Sequence, residues 1–230
     1  MKNDHLDVSR LRAELMGAIL PHVPFDGWSE PAFRAAAADL GLDSALARLV
    51  CPRGAVDLAV EYHRAADRRL AEALGRAEAA GEFAGLKFRE KIAAAVKLRL
   101  GLVDVELVRR AASVFALPQN AAMGAALMWE SADVIWRALG DTSEDYNWYS
   151  KRLTLSGVLS ATVLFWIGDD SAGQAESWAF LDRRIEGVMQ FEKVKGALMR
   201  LPGVEALLQG LRAPAPILAP GAVHPAEGGR

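Results

Sequence analysis

The stretch SEPAFRAAAADLGLDSALARLVCPRGAVDL, residues 29–58, predicts two short helices that meet at a glycine turn. Ser29 is a typical helix N-cap, because its side-chain oxygen can accept a hydrogen bond from a backbone N–H of the first turn. The first helix is predicted to end at Gly41. Ser44 opens the second helix, which stops at CPRG, residues 51–54. The sequence therefore places a helix-turn-helix near the N-terminus.

Helical periodicity continues on both sides of this stretch over almost the whole chain. Apolar residues recur every three to four positions, and no run alternates convincingly between apolar and polar residues. This pattern predicts an all-α fold with a helix-turn-helix-like module at residues 1–54 and a larger helical domain at 55–201. Residues 202–230 are predicted to form a short amphipathic segment and a disordered tail. The longer helices are predicted at Val8–Leu20, Ala55–Ala80, Leu86–Leu102, Val105–Leu117, Asn120–Leu139, Tyr146–Ile167 and Ser177–Leu201.

Composition excludes several classes of protein. Lysine and arginine total 27 against 29 acidic residues, so the net charge is close to zero. The chain as a whole therefore does not attract nucleic acid or an anionic bilayer electrostatically. The single cysteine, Cys51, excludes an internal disulfide framework. The most apolar run, Leu153–Ile167, is shorter than the roughly 20 residues that cross a bilayer, and is predicted to be a buried helix. The first residues lack signal or transit character, which predicts a bacterial cytoplasmic protein or one already processed.

The helix-turn-helix, with one helix before it, resembles the DNA-binding module of TetR-type regulators. A helix that reads DNA needs basic and hydrogen-bonding side chains that reach phosphates and base edges. The second helix offers only Ser44 and Arg48 among alanines and leucines. We therefore expect a TetR-like helical bundle that does not bind nucleic acid. A TetR-type transcriptional regulator with an apolar effector pocket stays open as the alternative.

Motifs of catalysis are missing from the sequence. It contains no glycine-rich phosphate loop, no GxSxG elbow and no paired-cysteine metal spacing. The histidines are scattered, and none forms the Glu-x-x-His pair of a di-iron bundle. His63, beside Glu61 and Arg64 on a charged helix, is predicted to be a surface residue. We expect neither an enzyme nor a metal site.

Three motifs carry a resemblance to a known family. They are GDTSEDYNWYSKR at residues 140–152, LPQN at 117–120 and ESWAFLDRRI at 176–185. Together they resemble the accessory family of ubiquinone (coenzyme Q) biosynthesis, lipid-binding proteins with a TetR-like fold. The likeness extends from about Ala18 to Phe191.

The resemblance implies a non-catalytic homodimer, peripheral to the inner membrane, without a metal or cofactor. The protein would bind a polyprenyl quinone precursor or a phospholipid and present the precursor to the demethoxyubiquinone hydroxylase. The family's hydroxylase contacts correspond here to Asp133, Ile135, Trp148 and Tyr149, and the adjacent Trp136 and Arg152 are included in the predicted partner-binding set. The family's membrane-docking segment corresponds to Val204, Leu207, Leu208 and Leu211.

Apolar residues between Asn120 and Ile167 exceed what a surface helix needs. A protein that extracts a long isoprenoid needs an apolar cavity, and flexible methionine side chains suit such walls. The alternative for each of these residues is an ordinary core position. The candidate lipid-binding residues are Met123, Leu127, Met128, Val134, Leu159, Val163 and Trp166.

The motif at residues 140–152 also predicts a capped corner. Gly140 ends one helix, and Asp145 lies near the positive N-terminal end of the next. Trp148 and Tyr149 are adjacent, so they point about 100° apart on a helix. At least one of them is therefore expected to be partly exposed, as in an interface hot spot, and the alternative is a corner that buries both rings.

Overall fold

The computed structural model of the protein describes residues 7–143 and 146–199, and within these all side chains except those of 146, 147, 189 and 191–199. These residues form α-helices and no β-strand, which confirms the all-α prediction. The helices are α1 (Val8–Ile19), α2 (Val23–Asp26), α3 (Glu30–Asp39), α4 (Ser44–Val50), α5 (Ala55–Ala79), α6 (Phe88–Gly101), α7 (Val105–Phe115), α8 (Pro118–Ala138), α9 (Tyr146–Trp166) and α10 (Ala175–Met199).

The N-terminal module forms as predicted. Ser29 caps α3 by accepting from the backbone N–H of Ala32, and Gly41 takes a φ of +64°, which favours glycine. The second helix, α4, begins at Ser44 as predicted, and its cap is Asp43, whose Oδ2 accepts from the Ala45 backbone N–H at 3.0 Å. The segment between α1 and α3 holds the one-turn helix α2, which was not among the predicted helices.

A first hydrophobic core joins the N-terminal helices to the start of α5. Leu15 of α1, Phe33 of α3 and Leu58 of α5 are buried together. The Trp28 indole N–H donates to the carbonyl of Leu107 in α7 at 3.1 Å. The N-terminal module is therefore packed continuously onto the helices that follow it.

A second core fills the space among the distal part of α5 and helices α6, α8, α9 and α10. Leu74, Val96, Ile135, Leu159 and Leu181 are among its buried members. The chain separates into compact units at residues 1–188 and 189–230, and the features below belong to the first unit. The predicted tail and the membrane residues Val204, Leu207, Leu208 and Leu211 lie outside the described residues.

Two helical glycines give a matched test of packing. A Cβ at Gly124 of α8 would lie 2.9 Å from the Cβ of Phe115, whereas a Cβ at Gly75 of α5 would meet nothing within 4 Å. Gly124→Ala is expected to lower the free energy of unfolding by about 1 kcal/mol or more, because the α7–α8 contact must shift. Gly75→Ala is expected to raise it by about 0.5–1 kcal/mol. Urea denaturation checks both, and equal stabilisation would contradict the close contact.

Candidate functional site

The corner between α8 and α9 is organised by one carboxylate. Gly140 ends α8 with a φ of +79°. Oδ1 of Asp141 accepts from the Ser143 hydroxyl and from the Lys151 ammonium, each at 2.8 Å. Its Oδ2 accepts from Nη1 of Arg152 at 2.9 Å. Asp141 thus ties the turn to α9, while Asp145 lies outside the described residues.

Arg152 is the centre of this corner and is almost fully buried, with 1% of its side chain exposed. Its Nε donates to Oδ1 of Asp133 at 2.6 Å, and Nη1 also donates to the Trp148 carbonyl at 3.1 Å. The guanidinium therefore joins α8, the turn and the first turn of α9. Arg152 and the fully buried Ile135 were predicted to contact a partner, but neither reaches the surface of this chain. That prediction is corrected, because both side chains are enclosed by the protein itself.

Trp148 lies against Arg152, and two further half-buried aromatic side chains pack with it; we call Trp129, Trp148 and Tyr149 the aromatic cluster. The Trp148 ring centroid lies 4.0 Å from the Arg152 guanidinium carbon. Trp148 and Tyr149 meet edge to face at 4.7 Å, and Trp129 lies 5.8 Å from Trp148. The predicted partial exposure is confirmed for both residues of the pair. Trp129, one helical turn before Asp133, was not among the residues predicted from the sequence.

Trp136, another predicted contact residue, is also half-buried. Its indole N–H donates to the Lys151 carbonyl at 3.1 Å, and its ring stacks on Phe88 of α6 at 5.1 Å. Trp136 therefore packs α6 against the corner.

The corner is expected to be sensitive to acid. Burial alone would raise the pKa of Asp141, but hydrogen bonds from Lys151, Ser143 and Arg152 hold the pKa well below its ordinary value of 3.8. A lowered folded-state pKa adds stability above the unfolded-state pKa, and this stability is lost as pH falls through the folded-state pKa. Asp141→Asn should therefore have a lower free energy of unfolding than wild type near neutral pH. The difference between the two proteins should shrink as the pH falls from about 5 to 2. Urea titrations over that range check this, and equal losses would contradict it.

A cavity of about 310 Å³ lies among α5, α7, α8 and α9, open on one side. Of the predicted lipid-binding residues, Leu127, Met128 and Val163 line it. Leu159 and Trp166 instead belong to the second core, and Val134 packs against that core. Met123 is half-buried on α8 and is not among the lining residues. The full set of lining residues is Ala59, Tyr62, His63, Val108, Ala111, Ala112, Phe115, Ala116, Ala121, Gly124, Ala125, Leu127, Met128, Ser160, Val163 and Leu164.

Helix α7 also contributes to these walls, which was not predicted from the sequence. Val108, Ala111 and Phe115 recur at helical spacing, so one face of α7 is apolar. This periodicity is the signal in the sequence from which the contribution of α7 could have been predicted.

A buried polar network lies beside the cavity and corrects the placement of His63. His63 is largely buried, not a surface residue, and its Nε2 lies 2.8 Å from the Ser131 hydroxyl oxygen. Ser131 also bonds to Asp67, whose Oδ1 accepts from Nε of Arg99 at 2.6 Å. Burial alone would raise the pKa of Asp67, but the hydrogen bond with His63 and the charge of Arg99 lower it. The network supplies a fixed polar group at an apolar cavity.

The described part of the chain contains neither a candidate metal site nor a helix that could span a membrane. No group of three or more His, Cys, Asp or Glu residues in the described ranges could hold a metal ion. None of the helices described is both long and apolar enough to cross a bilayer. Burial raises the pKa of the Cys51 thiol, and Cys51 lies in the first core.

Comparison with known proteins agrees with the sequence motifs. A family model described as COQ9 matches residues 121–192, which include the corner and much of the cavity wall. The rat ubiquinone biosynthesis protein COQ9, mitochondrial, is 29% identical over 91% of this chain and 68% of its own length. The resemblance is confirmed. The chain is similar to the COQ9 proteins over most of its length.

Other COQ9 proteins show the same relationship. The human mitochondrial protein is 28% identical over 91% of this chain and 67% of its own length. The probable ubiquinone biosynthesis protein coq9 of Dictyostelium discoideum, also named as mitochondrial, is 27% identical over 84% of this chain and 64% of its own length. The chain thus spans about two thirds of the COQ9 proteins it matches.

The fold is shared with a regulator of transcription. The crystal structure of a TetR transcriptional regulator from Nitrosomonas europaea superposes with a TM-score of 0.60 at 17% identity. The match covers 77% of this chain and 97% of that chain. The predicted TetR-like fold is confirmed.

Proposed function

We propose that the protein is a non-catalytic accessory protein of ubiquinone biosynthesis that binds a polyprenyl quinone precursor and presents it to the demethoxyubiquinone hydroxylase. The relationship to COQ9 proteins supports the pathway. The cavity among α5, α7, α8 and α9 is the observation that carries the proposed binding of lipid. Its walls are mostly alanine, valine, leucine, methionine and phenylalanine side chains.

The size of the cavity indicates which part of a lipid it holds. A dry apolar cavity of about 150 Å³ is enough to bind benzene. At about 310 Å³, this cavity has room for an aromatic ring and a short branched chain. A longer tail would extend out of the open side. Each methylene that leaves water gains about 0.8 kcal/mol, so even one isoprenoid unit contributes substantially to binding.

The aromatic cluster is proposed as the surface that meets the hydroxylase. Tryptophan and tyrosine dominate interface hot spots because they bury large areas with few rotatable bonds. Trp148 is held by the buried Arg152, so its ring is oriented before any partner binds. Asp133 serves this surface indirectly, through its bond to Arg152.

The remaining parts of the proposal concern location and assembly. We propose a homodimer at the periphery of the bacterial inner membrane, as the family resemblance implies. Membrane docking would use the segment around Val204–Leu211, which lies outside the described residues.

The bound molecule is the direct test of lipid binding. Organic extraction of the purified protein followed by mass spectrometry is expected to yield an isoprenoid quinone precursor or a phospholipid. The same extraction of an unrelated helical protein, purified in parallel from the same cells, is the control. Protein that carries no more lipid than this control would contradict the proposal.

A TetR-type regulator is the alternative function, because such regulators have the same fold. In α4 the one basic side chain, Arg48, pairs with Glu30 and lies over the Phe33 ring at 5.1 Å. Leu49, which is 71% exposed, occupies the outer face of that helix. Because phosphate contacts supply most of the affinity of DNA-binding proteins, we expect no operator binding at moderate salt. A salt-dependent shift of duplex DNA by the purified protein would support the regulator instead.

A further inference from the structure

The polar side of the cavity has a defined protonation pattern. Nε2 of His63 is surrounded by the Leu127 carbonyl at 3.1 Å, the Ser131 hydroxyl at 2.8 Å and Oδ2 of Asp67 at 3.3 Å. The carbonyl and the carboxylate can only accept, and the Ser131 hydroxyl gives its proton to Asp67. Nε2 therefore carries a proton, and in neutral His63 the other ring nitrogen, Nδ1, is an acceptor.

Nδ1 is the unused atom of this network. Among the described residues, none bonds to it, whereas Nε2 has three neighbours. The fully enclosed side-chain nitrogens without a partner, again within the described residues, are those of Arg12 and Trp166. Nδ1 is therefore not sealed inside the protein, and His63 lines the cavity.

The other polar side chains of the cavity already have partners. The Ser160 hydroxyl donates to the Ser156 carbonyl at 2.8 Å. The Tyr62 hydroxyl oxygen accepts from the Asp104 backbone N–H at 3.0 Å. Among the described polar side chains that line the cavity, His63 is the one whose acceptor atom has no bond and is held by buried partners.

Buried polar residues on the side away from the cavity hold the His63 imidazole in place. Arg99 donates through Nε to Asp67 and through Nη2 to the His63 carbonyl, the latter at 3.2 Å. Asp67, Arg99 and Ser131 are nearly fully buried. They act as positioning residues, because a ring nitrogen fixed by buried partners recognises a ligand without first losing conformational freedom.

We propose that this cavity recognises an aromatic ring that carries a free hydroxyl group, a phenol or hydroquinone with an apolar substituent, through a hydrogen bond from that hydroxyl to Nδ1 of His63. A quinone or an aryl ether at the same place offers only acceptor atoms, so its oxygen and Nδ1 of His63 could not form a hydrogen bond. At Nδ1 of His63 the reduced, hydroxylated form of the ring is therefore favoured over the quinone or the ether. This inference rests on the proposed lipid binding and specifies the class of head group.

Two probes of nearly the same shape test the inference. Titration of the wild-type protein with 2-geranylphenol and with geranylbenzene, followed by tryptophan fluorescence or calorimetry, compares a ring with and without the hydroxyl. Without recognition, geranylbenzene would bind at least as tightly, because it has no polar group to remove from water. With recognition, 2-geranylphenol is expected to bind about tenfold tighter. His63→Phe is expected to remove that preference, so that 2-geranylphenol no longer binds more tightly than geranylbenzene.

A second measurement covers the case in which His63→Phe does not fold. In wild-type protein labelled with ¹⁵N-histidine, 2-geranylphenol should shift the Nδ1 resonance of His63 and leave its Nε2 resonance close to its original position. Geranylbenzene, which has no hydroxyl group, should leave the Nδ1 resonance of His63 close to its original position. Equal affinity for both probes, or an unmoved Nδ1 resonance, would overturn the head-group inference while lipid binding stands. Failure of both probes to bind would instead contradict the proposed function.

Discussion

Trp148→Ala is expected to weaken association with the demethoxyubiquinone hydroxylase by about 30-fold or more, the effect of losing a hot-spot residue. The ring is half-buried between Arg152, Tyr149 and Trp129, so it is oriented and yet accessible. Tyr149→Ala is expected to act in the same direction. Pull-down and calorimetric titration with the purified hydroxylase would measure both effects.

The control for Trp148→Ala is an aromatic residue elsewhere on the surface. Phe25 of α2 is 86% exposed, and Phe25→Ala is expected to leave association unchanged. Circular dichroism must show that Trp148→Ala keeps its helical content, since the half-buried ring also contributes to packing. Association at the wild-type level by a folded Trp148→Ala protein would remove the aromatic cluster from the interface.

Arg152→Ala is expected to lower the free energy of unfolding by about 3–5 kcal/mol, the usual cost of removing one partner of a buried ion pair. The substitution would leave the carboxylates of Asp133 and Asp141 without their shared cation. It would also release the Trp148 carbonyl and remove the surface on which that ring rests. Association with the hydroxylase should therefore weaken along with stability.

Arg137 provides the matched control for this ion pair. It also pairs with Asp133, at 2.8 Å, but 70% of its side chain is exposed. Exposed ion pairs contribute about 1 kcal/mol or less, so Arg137→Ala should change stability only slightly. Urea denaturation of the two variants gives the comparison. Similar small losses in both would show that the buried corner contributes little.

Much of the fold follows from local signals in the sequence. The longer helices begin within two residues of their predicted starts, because apolar periodicity and breakers such as Gly140 are local. The capping residue of a helix follows less directly from the sequence than its start does. Asp43 and Ser44 are both good capping residues, and their order in the chain does not say which side chain accepts from the first turn.

The side chains of the site were harder to predict, because burial depends on contacts distant in sequence. The sequence around Arg152 is typical of a surface cation. The side chain is buried because it pairs with Asp133 and Asp141, which lie on other elements. His63 likewise stands among charged neighbours on α5, but Ser131 comes from α8 and Arg99 from α6. Periodicity places each residue on a helix face, and helix packing decides whether that face is covered.

The central claim, that the cavity holds a lipid, is tested most directly by a pair of neighbouring substitutions on α7. Ala112 lines the cavity, whereas Ser113 is exposed and does not line it. Lipid extracted from the purified proteins and quantified by mass spectrometry should fall at least about tenfold in Ala112→Trp, whose indole fills the space, and stay at the wild-type level in Ser113→Trp. Equal amounts of lipid in wild type and in a folded Ala112→Trp protein would contradict the account.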